Sequence, residues 1–184
     1  MVKTNYLALL RAINVGGKNV IKMETLKKIF EKIQFSNVKT YIQTGNVFFA
    51  DNEKNKLKLA KKIEKALLDE TKNEIMVLLL TFADIADILK DVPKEFGIDN
   101  KKYKYDVLFL IDPLKPKDIM NEIKIIKGED KIYAGGKALY VKRFAEKLTG
   151  SYIVKALKIS QNITVRNYKI TKELYKLMLE RNEE

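Results

Sequence analysis

The sequence predicts an α+β protein made of two ferredoxin-like halves of the βαββαβ type with antiparallel sheets, the second half incomplete and ending in helices. Three observations carry this. Apolar runs of strand length alternate with longer stretches whose apolar residues recur at helical spacing. Two turn signals, Thr44-Gly45 and Gly135-Gly136, each join two such runs into a hairpin. The order strand, helix, strand, strand, helix, strand fills the chain up to Leu80 and then begins again. The expected units are residues 1–80 and 81–184, joined near Leu80–Asp91 without a long flexible linker.

In the first half, Asn5 to Arg11 is mainly apolar, as a central strand requires. Met23, Leu26, Ile29, Phe30 and Ile33 then recur at helical spacing, with Lys27, Lys28, Glu31 and Lys32 opposite. Val38 to Gln43 alternates as a strand, and Thr44-Gly45 turns it into a second run, Asn46 to Ala50. Ala60, Ile63 and Leu67 mark the inner face of a long helix, and Ile75 to Leu80 is a further strand. In the second half, Thr81-x-x-Asp84 has the form of a helix cap, with Phe82, Ile85 and Leu89 inward. Pro93 to Lys102 is a polar connection. Tyr105 to Ile111 is a strand stopped by Asp112-Pro113, and Pro116 opens a helix carrying Ile119, Met120 and Ile123. Ile132 to Ala134 and Ala138 to Lys142 flank the glycine pair. Helices are expected near 150–159 and 171–182, separated by Asn162 to Asn167, with Thr171 as the last N-cap. No final strand is expected in this half.

Composition narrows the chemistry. At 184 residues and 46% hydrophobic content the chain can bury a core. No apolar run approaches the roughly 18–20 residues of a membrane span, and the opening residues move straight into a strand pattern without a signal-peptide form. The expected location is cytoplasmic. The absence of cysteine excludes disulfides, thiol nucleophiles and zinc-thiolate sites. The absence of histidine removes the commonest general base and metal ligand. Acidic residues are scattered, with no paired-carboxylate or metal-ligand signature, so no metal or cofactor is expected. The formal charge of +12 has two readings: an anionic partner, or a composition biased to lysine. Arginine occurs only at Arg11, Arg143, Arg166 and Arg181. Its bidentate fork makes Arg11 and Arg166, both beside asparagine-containing motifs, more informative than any lysine.

Two loops use amides, glycines and arginine beyond the needs of a simple turn. In the first, Arg11, Asn14, Gly16, Gly17 and Lys18 follow the first strand and precede a helix. Successive N–H groups there suit an anion, although the spacing matches neither the dinucleotide fingerprint nor the P-loop. The other reading is a strand-to-helix turn. In the second loop, Gly45 serves the hairpin and Asn46 the local backbone, while Gln43 and Thr44 exceed that need. The hairpin tip is expected at the sheet end opposite the first loop, so that only the second half would bridge them. Asn46-Val47-Phe48-Phe49 with Tyr6 is similar to the aromatic pair of RNA-recognition domains, without its basic and glycine pattern. Phe48 and Phe49 point to opposite faces, so at least one is core. Arg166 and Asn167 read either as a helix cap and connection or as an arginine–amide pair aimed at a ligand.

These motifs together resemble the bacterial family known as domain of unknown function 1697. Arg11-Ala12-Ile13-Asn14-Val15-Gly16-Gly17 is similar to that family's Arg-Gly-Ile-Asn-Val-Gly-Gly, departing at Ala12. Met23 and Leu26 match its Met-x-x-Leu helix start. Thr40 to Val47 matches its Thr-Tyr-hydrophobic-Gln-Ser-Gly-Asn-Val block, with Thr44 for serine. Thr164-Val165-Arg166-Asn167-Tyr168 resembles its Thr-x-Arg-Asn-Trp, with tyrosine for tryptophan. The resemblance covers essentially the whole chain and implies two ferredoxin-like halves, but no mechanism.

The expected function is binding of a small anionic or polar ligand at the loop between the first strand and first helix. Arg11, Asn14, Gly16, Gly17 and Lys18 would contact it, with Gln43, Asn46, Arg166 and Asn167 as further candidates. The alternatives are an RNA- or DNA-binding module using the sheet and lysines, and an enzyme acting on a phosphorylated metabolite. The sequence does not specify an oligomeric state.

Overall fold

Strand β1 (Thr4–Leu10) is apolar because it is central. It pairs antiparallel with β3 (Asn46–Asp51) on one side and β4 (Val77–Leu80) on the other. With β2 (Ser36–Tyr41) at the edge, the sheet order is β2-β3-β1-β4. Alternation turns Tyr6, Ala8 and Leu10 to one face, beside Val47 and Phe49, where they form one core with Leu26, Ile29 and Phe30 of α1 (Met23–Lys32) and with α2 (Lys56–Thr71). In α2 the buried stripe is Leu59, Ile63 and Leu67, and Asn55 caps the helix by accepting from the Lys58 N–H at 3.1 Å. The computed structural model describes residues 3–14, 19–111, 113–120, 122, 130–145, 160 and 162–183.

By its contacts the chain divides into two compact units. One comprises Met1–Asp84 with Leu177–Glu184, the other Ile85–Lys176. Helix α3 (Phe82–Lys90) spans the boundary. It begins with the expected cap: the Thr81 N–H donates to Asp84 Oδ2 at 2.9 Å, and the Asp84 N–H donates to Thr81 Oγ1 at 3.3 Å. Ile85 and Ile88 are its fully buried residues, while Phe82 and Leu89 are half-buried.

The second sheet consists of β5 (Tyr103–Leu110), β6 (Lys131–Ala134), β7 (Ala138–Phe144) and β8 (Ile163–Asn167) in the order β6-β7-β5-β8. Position for position this repeats the order of the first sheet. Helix α4 (Pro116–Met120) opens on its proline and buries Ile119 against Leu108, Leu110, Leu139, Val141 and Ile163. Ile123 and the segment 150–159 lie outside the described residues. The glycine hairpin forms as expected, with the Gly135 N–H donating to the Ala138 carbonyl at 2.9 Å.

The expectation of a missing final strand is overturned. Residues 163–167 are strand β8, registered antiparallel on β5 from Leu110–Ile163 to Asp106–Asn167. This run is short and holds Thr164, Arg166 and Asn167, so its own pattern reads as a connection. Its partner lies more than fifty residues earlier in the sequence, and only that pairing makes it a strand. The last helix, α5 (Tyr168–Glu183), follows directly. Its N-cap is Asn167, whose Oδ1 accepts from the Ile170 N–H at 2.8 Å. Thr171, the expected cap, sits inside the helix, fully buried, and donates back to the Asn167 carbonyl at 3.0 Å.

The two loops singled out by the sequence also lie at one end of the first sheet, not at opposite ends. Helix α1 carries the chain back along the sheet before β2 starts. β2 therefore runs parallel to β1 and ends where β1 ends. The register pairs Leu9 with Asn46, and the Leu10 N–H donates to the Gly45 carbonyl at 2.8 Å.

Candidate functional site

At that shared sheet end, Asn14 ties the two loops together. Its Nδ2 donates to the Gln43 carbonyl at 2.8 Å and to the Ile21 carbonyl at 2.9 Å. Its Oδ1 accepts from the Ile21 N–H at 2.7 Å. The Asn14 backbone is left-handed at φ +54°, as are Ala12 at +52° and Asn19 at +48°. Asparagine tolerates that region because its short amide bonds locally. In the hairpin, Asn46 is fully buried, and its Nδ2 donates to the Tyr41 carbonyl at 3.1 Å and to Thr44 Oγ1 at 3.0 Å. Gly45 is left-handed at φ +76°, and a Cβ there would lie 2.7 Å from Ile13 Cδ1. Asn14, Gln43 and Asn46 are thus brought together as a backbone latch. Gln43 offers its carbonyl to the latch, and its side chain is exposed. Arg11 leads into the loop half-buried, its N–H on the Met76 carbonyl at 2.9 Å, and burial lowers its pKa. Gly16, Gly17 and Lys18 lie outside the described residues.

The aromatic residues of the first sheet are core. Tyr6, Phe48 and Phe49 are each no more than 1% exposed. Tyr6 stacks on Phe49 at 5.4 Å and donates its hydroxyl to the Glu53 carbonyl. The Arg181 guanidinium lies over Phe48 at 5.7 Å, and Asn5 Nδ2 donates to the Arg181 carbonyl at 2.7 Å. No open ring remains at these positions for a base to stack on.

Arg166 and Asn167 belong to the other unit. Arg166 is buried, bonded through Nη1 to Thr164 Oγ1 at 3.1 Å and to the Val165 carbonyl at 2.8 Å, and burial lowers its pKa to about 10. Asn167, its neighbour in sequence, is exposed at the rim of a pocket that lies wholly within this unit.

The pocket follows from the register. β8 stops opposite Asp106, whereas β5 begins earlier, at Tyr103, where it has β7 on one side only. The resulting notch has a volume of about 300 Å³. Its residues come from β5, from Arg143 of β7, from Asn100 of the connection before β5, and from the turn Asn167-Tyr168-Lys169 that opens α5. Alternation along β5 sets Lys104 and Asp106 on one face and Tyr103 and Tyr105 on the other. The notch therefore wraps the open edge of β5, with a charged side on one face of the sheet and an aromatic side on the other.

On the charged side, Arg143 Nε donates to Asp106 Oδ2 at 2.7 Å. Asp106 is buried, and burial raises its pKa although Arg143 pulls the other way. The pair fixes the guanidinium through Nε alone. Among the described residues neither Nη group has a hydrogen-bond partner. Lys104 and Lys169 are exposed and make no ion pair among the described residues. On the aromatic side, Phe96 is the hub, with ring centroids 5.0 Å from Tyr105 and 5.8 Å from Tyr168.

Sequence reasoning found Asn167 here and missed Arg143, Asp106 and the tyrosines. Two signals were available. Arginine is scarce in this chain, and Asp106 interrupts an otherwise apolar strand, where a buried charge requires a partner. Among the described residues no group of three or more acidic side chains is placed to hold a metal ion. Among them, too, no helix is long and apolar enough to cross a membrane.

Comparison with known proteins agrees with the architecture. No functionally curated protein matches the chain. The solved structure of the conserved bacterial protein SP0830 from Streptococcus pneumoniae superposes with a TM-score of 0.79 at 24% identity, covering 96% of this chain and 99% of that one. That likeness is one of fold. The family model described as "Protein of unknown function (DUF1697)" matches residues 3–140, a stretch that contains both latch loops and ends before the Thr164–Tyr168 motif. With three-quarters of its length matched, the chain belongs to the DUF1697 family of proteins of unknown function.

Proposed function

We propose that this protein binds a small anionic ligand, and that the notch beside β5 receives it. The observation that carries this is Arg143. A buried carboxylate holds its guanidinium through Nε and leaves both terminal nitrogens without a partner among the described residues, on a residue that lines a pocket two lysines border. That fork matches a carboxylate or phosphate bidentately. The anion was expected at the loop after β1, but the described amides there serve the backbone, which favours the second unit. The matching strand orders also support reading the two sheets as a repeated ferredoxin-like unit.

The test is thermal denaturation at low salt with a panel of phosphorylated and carboxylated metabolites. A ligand at about ten times its Kd should stabilise by about 1.4 kcal/mol. At least one compound should raise the wild-type midpoint and leave Arg143→Ala unmoved. A panel without effect on the wild type, or one that stabilises both proteins equally, removes the site. Arg143→Lys keeps the charge and loses the fork, so it should recover only part of the response.

A further inference from the structure

The notch carries more than charge. Tyr103, Tyr105 and Tyr168 stand around it, and each ring is held before any ligand arrives. Tyr168 packs edge-on to Phe96 and covers Gly97, where a Cβ would come within 3.1 Å of the ring. Tyr103 is braced by Phe144 at 6.0 Å and by Lys142 Nζ at 4.2 Å. The Tyr105 hydroxyl is engaged with the Asp99 backbone, accepting from its N–H at 3.3 Å. The hydroxyls of the half-buried Tyr103 and Tyr168 have no protein partner among the described residues. Asn100 and Asn167 add exposed side-chain amides at the rim, each able to donate and to accept. A sugar phosphate or a simple carboxylate would use the charged side and leave these rings unused.

Resting on the anion reading above, we propose that the ligand is a planar aromatic anion of the nucleoside monophosphate class. Its base lies against Tyr103 and Tyr168, and its phosphate lies on the Arg143 fork. The charge agrees. Asp106 neutralises Arg143, and Lys104 and Lys169 remain to meet a phosphate dianion. The size agrees as well, since the pocket falls at the lower end of the about 300–1,000 Å³ typical of small-ligand sites. The Asn100 and Asn167 amides suit the donor and acceptor edge of a base.

The experiment is isothermal titration at low salt with the four ribonucleoside 5′-monophosphates, ribose 5-phosphate and inorganic phosphate. At least one nucleotide should bind about tenfold or more tightly than ribose 5-phosphate, the order of one stacked base. Tyr168→Leu should erase that advantage while leaving ribose 5-phosphate binding unchanged. Tyr168→Phe, which keeps the ring and checks the fold, should retain it. Arg143→Ala should weaken both. If ribose 5-phosphate or inorganic phosphate binds as tightly as every nucleotide, the aromatic assignment is overturned and the anion site stands. If no phosphate compound binds the wild type, the nucleotide assignment is overturned, and the anion reading falls with it only where the carboxylated metabolites of the thermal panel also leave the wild type unmoved.

Discussion

Asn14→Ala tests whether the most distinctive loop of the sequence recognises a ligand or holds the sheet end together. The substitution deletes three hydrogen bonds, to the Gln43 carbonyl and to the N–H and carbonyl of Ile21. At a net of about 0.5–1.5 kcal/mol each, these come to roughly 1.5–4.5 kcal/mol. It also places alanine at φ +54°, a left-handed backbone that disfavours a Cβ by about 1–2 kcal/mol. The Gln43 bond is solvent-exposed, which argues for the lower part of the range. The expected loss is about 2.5–4.5 kcal/mol, a fall in thermal midpoint of about 5–18 °C for a chain of this size. Asn14→Gly separates the two contributions. It loses the same bonds but accepts the backbone angle, so it should be about 1 kcal/mol less damaging than alanine. Asn14→Asp keeps the acceptor for the Ile21 N–H and turns a carboxylate toward two carbonyls, so it should be at least as harmful as alanine. The assay is urea and thermal unfolding in phosphate-free buffer with no ligand present. An Asn14→Ala protein within about 0.5 kcal/mol of wild type would refute the latch and return Asn14 to the ligand.

Three further outcomes follow from single positions. Ala12 holds φ +52°, so Ala12→Gly should stabilise the protein by about 0.5–1 kcal/mol in the same melts, and a loss would show that the strain is not there. Gly45→Ala places a Cβ 2.7 Å from Ile13 Cδ1 and 2.9 Å from Leu10 Cβ, and should cost about 3 kcal/mol or more, with a neutral result ruling out this packing. Glu95 accepts from Lys142 at 2.7 Å and from the Tyr133 hydroxyl, which lower its pKa from 4.5 to about 2. A carboxyl lowered on folding adds stability that is complete above its unfolded value and lost as the pH falls through its folded one. Thermal midpoints of wild type and Glu95→Gln should therefore differ at pH 5 and converge as the pH falls toward about 2, and a constant gap would contradict the pairing.

Much of the fold was legible because it is written locally. Periodicity found α1, α2 and the strands of the first sheet, since each buries one face against a single core. The Thr81–Asp84 cap and the Gly135-Gly136 hairpin were readable because a cap and a turn are each settled within four residues. The errors were non-local. Phe96 sits in a stretch that reads as a polar connection and yet joins Tyr105, Tyr133, Tyr140 and Tyr168 in one aromatic cluster. The side of the sheet on which the β2–β3 turn emerges depends on the direction in which α1 returns, which no residue states by itself.

The sequence alone determined the class of the protein, its family and the chemistry it lacks. Hydrophobic spacing, turn residues and the absence of histidine and cysteine are properties of the chain in any conformation. Tertiary structure decided what the singled-out residues do. Pairing Leu9 with Asn46 brings the Asn14 amide onto the Gln43 carbonyl, so that Asn14, singled out as a ligand contact, ties two loops together. Ending β8 opposite Asp106 leaves the edge of β5 open, so that Arg143 and three tyrosines, spread over more than sixty residues, share one notch. Strand register sets which side chains meet, and it is fixed by pairings between distant segments.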